Sequence, residues 1–243
     1  GRPGAEDPEH VVFRQRVGLL RAIKADTALA ATLGALDGDL TVGQVIAAVA
    51  QVLELDVTEL ETLRERLNAR WGETRGKLTL LPFLARAIVL AVREFPQMNA
   101  RYDDDKGVVM RHAPVHLGVA AQTENGLMVP VLRHSEAHDL WSCAAEIRRL
   151  AQAAREGTAQ RDELSGSTIT LTSLGALGGI VSTPVINYPE VAIVGVNRVV
   201  ERPVVLNGSV VVRKLMNLSS SFDHRVVDGM HAAEFIQCLR GYL

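Results

Sequence analysis

The sequence predicts an α+β sandwich, on three observations. Apolar residues recur at helical spacing through most of the first hundred residues. From Val108 the texture changes to short β-branched runs separated by turn residues. The two patterns do not alternate regularly enough for a doubly wound parallel sheet, and no internal repeat is present.

In chain order, His10 to Leu53 is rich in Ala, Leu and Val, broken near Gly34 and at Asp37-Gly38-Asp39, which predicts two helices. Thr58-Glu59-Leu60-Glu61 has the form of a capping box opening a third helix to Trp71, followed by a loop from Gly72 to Gly76. Leu80 to Phe95 is almost wholly apolar and too long for an ordinary strand, so it reads as a buried helix stopped by Pro96. Strand patterns follow at 108–111, 115–122 and 128–132, with Asp103-Asp104-Asp105 as a solvated hairpin tip. From 139 to 156, Leu140, Ala144, Ile147, Leu150 and Ala154 share one helical face, and Gly157 is the expected stop. Strands are predicted at 167–173, 191–200 and 210–222, and a last helix from Asp228 to Leu243.

Composition narrows the function. The 243 residues are 47% hydrophobic and 22% charged, enough for one large core or two small ones. A net charge of −2 supplies no electrostatic pull towards nucleic acid or an acidic membrane. Cys143 and Cys238 are far apart, with no zinc spacing, and are expected as buried thiols. No H-E-x-x-H or other metal spacing occurs among the histidines, so no metal is expected. The amino terminus lacks an apolar secretory core and no apolar run is long enough to span a membrane, so a cytoplasmic location is expected. Gly72 to Lys77 lacks the glycine spacing and the Ser or Thr of a phosphate loop, and Gly175-Ala-Leu-Gly178-Gly179 lacks dinucleotide-binding spacing. Residues that bind a cofactor are not identifiable this way.

The informative stretch is Ser219 to Gly229, SSSFDHRVVDG, which sets an imidazole, two carboxylates and a guanidinium between a predicted strand and a predicted helix. Spacing alone leaves a structural histidine and a catalytic one both open. However, H-x-x-x-D-G, filled by His224, Asp228 and Gly229, resembles the motif shared by dihydrolipoamide acyltransferases and chloramphenicol acetyltransferases. The likeness to the former is much wider. It takes in KLTLLPFLARAIVLAVREFPQMNARY, VHLGVAAQTENGLMVPVLR, GSTITLTSLGALGGIVSTPVINYPEVAIVGVNRVVERPVV and MNLSSSFDHRVVDG, in the family's order, over about 55–243.

The resemblance implies a chloramphenicol acetyltransferase-like sandwich, with a mixed sheet flanked by helices. It also implies a transferase that moves an acyl group between dihydrolipoamide and coenzyme A at the core of a 2-oxoacid dehydrogenase complex. His224 would be the general base, and Thr172, in the segment TITLTSLG, the hydroxyl that meets the oxyanion. Asp228 would be a structural partner near the base, or equally a helix cap. Arg225 suits paired carboxylate acceptors, and Asp223 has no assigned role. Coenzyme A is then a substrate and the lipoyl group an acyl carrier. The family forms a homotrimer with the site between subunits, assembling into a larger cubic or dodecahedral core that works with decarboxylase and dihydrolipoamide dehydrogenase components. The lipoyl and peripheral-subunit-binding domains are expected to be absent from this chain.

Residues 1–54 do not match the family: its R-x-x-I-A-like helix and its strand with a Pro-His pair are missing, so 1–54 is read as a helical amino-terminal segment and 55–243 as the catalytic domain. The wording LTSLGALGG and NLSSSFDHRVVDG leans towards branched-chain members. The alternatives are a non-catalytic assembly core and an O-acyltransferase of the chloramphenicol type.

Overall fold

The computed structural model describes residues 11–14, 22–25, 48–124, 126–173, 175 and 178–243. The chain divides into two compact units, Gly1–Ala48 and Val49–Leu243. In the first, β1 (Val11–Arg14) pairs antiparallel with β2 (Ala22–Ala25), Val11 opposite Ala25. Strand β3 (Ala48–Asp56) leads into the second. The two helices expected across 10–53 are therefore not found at the described positions, which are all strand; the remainder of that expectation lies outside the described residues. In β3 the true period is two. Ala50, Val52, Glu54 and Asp56 are exposed, while Val49, Leu53 and Leu55 turn to the core. A run of Ala, Val and Leu satisfies both periods, and a neighbouring strand decides between them.

Helix α1 (Thr58–Arg75) forms where expected, but its capping box does not. Asp56 arrives from the strand and accepts from the Thr58 N–H (3.0 Å) and hydroxyl (2.6 Å), and the Thr58 oxygen accepts from the Lys214 N–H (2.8 Å). Glu61 is left to hold Arg64 at 2.8 Å. The helix also runs through the loop expected at Gly72 and ends at Gly76, whose φ of 87° suits glycine. Helix α2 (Leu81–Glu94) starts with Pro82 in its first turn, where a missing N–H is harmless, and buries Leu84, Ile88 and Val89. Pro96 follows its end, as expected.

Strands β4 (Ala100–Asp103) and β5 (Val108–Arg111) make the predicted hairpin, with Asp103 accepting from the Lys106 N–H at 3.0 Å. Next come β6 (Leu117–Val119), the small hairpin of β7 (Ala121–Thr123) and β8 (Gly126–Met128), and β9 (Val131–Leu132). Helix α3 (Leu140–Glu156) is capped by Asp139, which accepts from the Ser142 N–H at 2.7 Å, and stopped by Gly157 at φ 69°. The remaining elements are β10 (Ile169–Ser173), β11 (Ala192–Val196), β12 (Val200–Leu206), β13 (Ser209–Asp223) and α4 (Gly229–Gly241).

Seven strands form one sheet in the order β12-β13-β11-β10-β6-β9, with β3 also paired to β13. It is mixed: β6, β10 and β11 are parallel, while β9, β12 and β13 pair antiparallel. The parallel strands are buried runs, as strands covered on both faces must be. One apolar core joins them to α2, α3 and α4. Within it, Phe235 of α4 meets Phe222 of β13 edge-on at 5.9 Å and Phe95 beyond α2 at 6.0 Å. No helix among the described residues is long and apolar enough to cross a membrane.

One carboxyl lies inside this frame. Glu190, just before β11, is buried and bonded by the Ser167 hydroxyl and by the Asn187 amide at 2.8 Å. Its Oε2 has no hydrogen-bond partner among the described residues. Burial pushes its pKa above the usual glutamate value, outweighing the bonds from Ser167, Thr170 and Asn187.

Two stability measurements test these assignments. Phe222→Ala should lower the unfolding free energy by about 3–5 kcal/mol in denaturant titration, as for other fully buried aromatics. For Glu190, a raised folded pKa means that the site's contribution is complete below the ordinary glutamate range and falls as pH rises through the folded value. Glu190→Gln should accordingly flatten the decline of the denaturation midpoint as pH rises above the ordinary glutamate range; an unaltered slope contradicts a neutral buried carboxyl.

Candidate active site

The last buried residue of β13 is Asp223, and the chain there breaks into a turn before α4. The N–H groups of Val226 and Val227 both donate to the Asp223 carbonyl, at 3.0 and 2.9 Å, and Val227 is fully buried. His224, between these anchors, is exposed. Next after Val227, Asp228 stands in extended backbone as the N-cap of α4, accepting from the His231 N–H at 2.8 Å. Of the two roles left open for Asp228, the geometry displays the cap. The hydrogen bond from the His231 N–H holds its carboxyl below the usual aspartate value, and the nearby His231 and His224 side chains act in the same direction.

Arg225 does hold carboxylates, and in doing so gives Asp223 a role that the sequence left blank. Its Nε donates to both Asp223 oxygens (2.9 and 3.1 Å), one terminal nitrogen donates to Asp223 Oδ2 (2.5 Å), and the other to Asp104. The guanidinium carbon sits 4.0 Å from the centre of the Tyr102 ring. The triple-aspartate hairpin tip is thus correctly placed but only partly a solvated feature, because Asp104 is tied to the His224 turn. Three adjacent carboxylates at a turn carry no signal of this.

Thr172 lies two strands away. It is half-buried in β10, opposite Gly195 of β11, which is opposite Ser219 of β13. From that row to Asp223 is about 13 Å along β13, at roughly 3.3 Å per residue, and two strand spacings of about 4.8 Å separate β10 from β13. The structure therefore brings His224 and Asp228 together on one turn and leaves Thr172 of the same chain well outside hydrogen-bond reach of His224.

The segment after β10 is held against the same row. Asn217 donates to the Ile180 carbonyl (2.8 Å), the Ser182 N–H donates to the Ser219 hydroxyl (3.2 Å), and Asn197 donates to the same hydroxyl (2.7 Å). A Cβ at Gly195 would lie 2.5 Å from the Ser219 carbonyl and 3.2 Å from Pro184, so only glycine fits. Sequence reading gave no role to Gly195, Asn197 or Asn217, whose roles exist only across strands. Among the described residues no cluster of His, Cys, Asp and Glu could hold a metal ion. Burial pushes the Cys143 thiol up to about 12 and the Cys238 thiol to about 11, so neither competes as a thiolate near neutral pH.

A mixed-sheet sandwich presenting H-x-x-x-D-G at a strand-to-helix turn defines a class, the acyltransferases of chloramphenicol acetyltransferase-like fold. A chloramphenicol acetyltransferase shares the fold at a TM-score of 0.52 and 18% identity, over 81% of this chain and 88% of its own. The chain belongs to the 2-oxoacid dehydrogenase acyltransferase family, whose catalytic-domain model matches residues 40–243. It is 71% identical over 192 residues to the lipoamide acyltransferase component of the branched-chain alpha-keto acid dehydrogenase complex of Pseudomonas aeruginosa, covering 79% of this chain and 45% of that protein. The chain thus spans about half the length of the curated relatives it matches. The cubic core of a pyruvate dehydrogenase multienzyme complex overlays with a TM-score of 0.76 at 37% identity, covering 80% of each chain. So does the Azotobacter vinelandii dihydrolipoamide acetyltransferase, studied for the roles of a serine, a histidine and an asparagine in its catalytic mechanism, at 0.76 and 36% over 80% of each chain.

The cap supplies the prediction here. A lowered aspartate pKa means stability that is present above the ordinary range and lost as pH falls through the folded value. Asp228→Ala should lower the melting temperature at neutral pH but much less in acid, whereas Asp228→Asn, an equally good cap, should keep it. Equal melting of all three proteins at neutral pH would rule out the cap.

Proposed function

We propose that this chain catalyses acyl transfer between dihydrolipoamide and coenzyme A, with His224 as general base and Thr172 as oxyanion donor. The observation that carries the reading is the exposed imidazole on an anchored turn beside Asp228. It is supported by the Azotobacter vinelandii protein, whose serine, histidine and asparagine are spaced along its chain as Thr172, His224 and Asp228 are along this one.

A thiol with a pKa near 8.5 is only a few per cent thiolate at neutral pH. His224 takes the coenzyme A thiol proton through one ring nitrogen as the sulfur attacks the carbonyl of the acyl-dihydrolipoyl thioester. The tetrahedral oxyanion accepts a hydrogen bond from the Thr172 hydroxyl. Collapse breaks the old carbon–sulfur bond, and the departing lipoyl sulfur receives the proton back from the imidazole. Acyl-CoA and dihydrolipoamide leave, and the base is regenerated.

Because Thr172 and His224 of one chain are too far apart, the complete site lies between two copies, His224 from one and Thr172 from its neighbour in a homotrimer. The cubic-core structure supports further assembly of such trimers. The preferred acyl groups are branched, in line with the 71% identity to a branched-chain component. The proposed setting is a cytoplasmic complex with decarboxylase and dihydrolipoamide dehydrogenase partners, the lipoyl group arriving as acyl carrier.

Transfer from isobutyryl-CoA and acetyl-CoA to free dihydrolipoamide measures this directly. His224→Ala should lower kcat by about 100-fold to 10,000-fold, and Thr172→Ala by about 100-fold to 1,000-fold with little change in KM. Trimers reassembled from a mixture of the two variants should regain activity, since some interfaces then combine an intact His224 with an intact Thr172. Absence of recovery in mixed trimers would refute the shared site.

A further inference from the structure

We propose that Arg225 is the positioning residue of the base, clamped by Asp104 from the tip of the β4–β5 hairpin, so that this hairpin sets where the His224 imidazole stands. The inference rests on reading His224 as the base. Among the described residues no hydrogen bond holds the His224 ring, so its place is set by the turn backbone. That backbone is fixed through its neighbour. The Arg225 N–H donates to Asp223 Oδ1 at 3.0 Å, and the Arg225 side chain grips the same carboxylate.

Asp223 alone would tie the turn only to its own strand. Asp104 and the Tyr102 ring tie it to a different element: Asp104 accepts from the remaining terminal nitrogen, and Tyr102 lies under the guanidinium. Arginine's planar fork is suited to this, serving two carboxylates in its plane and an aromatic ring on its face. A lysine could provide the charge but neither the two-way fork nor the stack.

The hairpin is itself anchored at its base. The Tyr102 N–H donates to the Pro189 carbonyl at 2.9 Å and the Val191 N–H to the Ala100 carbonyl at 3.1 Å, setting the Arg101 and Glu190 backbones opposite each other in an isolated antiparallel β-bridge. These residues lead directly into β11, whose neighbour β10 carries Thr172. The clamp therefore refers the base to the central strands by a second route, independent of β13. Asp223 is buried and the Arg225 side chain is only 32% exposed, so the pairing is partly shielded from water rather than a freely solvated ion pair.

The test is steady-state transfer to dihydrolipoamide by the assembled protein carrying Asp104→Asn, Arg225→Lys or Asp104→Glu, alongside His224→Ala. Misplacement of a base by about 1 Å can cost on the order of 100-fold. Asp104→Asn and Arg225→Lys should each lower kcat by about 10-fold or more, with KM for both substrates within about twofold and with melting temperature and assembled mass as in the parent. Asp104→Glu should restore most of the loss. Parent-like kcat in both variants overturns the clamp, as does a kcat loss that only follows loss of assembled mass. Full activity of His224→Ala would instead overturn the reading of the base on which the clamp depends.

Discussion

The structure depends on how closely β10, β11 and β13 approach one another around Gly195. All five residues of β11 are buried, and the space where a Gly195 side chain would stand is filled by the Ser219 carbonyl and Pro184. That contact aligns Thr172, Gly195 and Ser219 in one row across three strands. It also lets the 180–184 segment fold down onto Ser219, where Asn197 and Asn217 complete its hydrogen bonds. A side chain here would separate strands whose backbone groups have no other partners, and buried unpaired groups are costly.

From this row the two halves of the candidate site diverge. β10 ends almost at once beyond Thr172, while β13 continues to Asp223 before the turn that presents His224. The same length of β13 that makes it the most extensively paired strand, shared by β3, β11 and β12, carries the imidazole away from the hydroxyl of its own chain. The proposed sharing of the site between copies is in keeping with this strand length and register. The pKa of the buried Cys143 thiol and of the partly buried Cys238 thiol is raised, in both cases chiefly by burial.

Much of this was legible in the sequence. Helix α2 announces itself by an almost wholly apolar run stopped at Pro96, α3 by a one-sided apolar face stopped at Gly157, and α4 by Asp228 at its start. The SSSFDHRVVDG stretch was readable because an imidazole, two carboxylates and a guanidinium lie between a strand and a helix pattern and fit the H-x-x-x-D-G resemblance. The misreadings share one cause. Ala48–Asp56 satisfies helical and strand spacing alike, and only β13 alongside selects the strand. The Thr58 capping box is a sound local pattern, displaced when Asp56 and Lys214 took up the Thr58 side chain. Asp104 resembled its neighbours Asp103 and Asp105 until the fold brought Arg225 beside it.

The sequence by itself determined the mixed fold class and the burial of the Leu80–Phe95 run, because apolar periodicity, caps and stops act over a few residues, while His224 was singled out by the H-x-x-x-D-G resemblance. Only the tertiary structure decided which carboxylates serve Arg225, why residue 195 must be glycine, and that Thr172 and His224 of one chain stand apart. Each of those depends on register between strands distant along the chain, and register is set by the packing of the whole sheet.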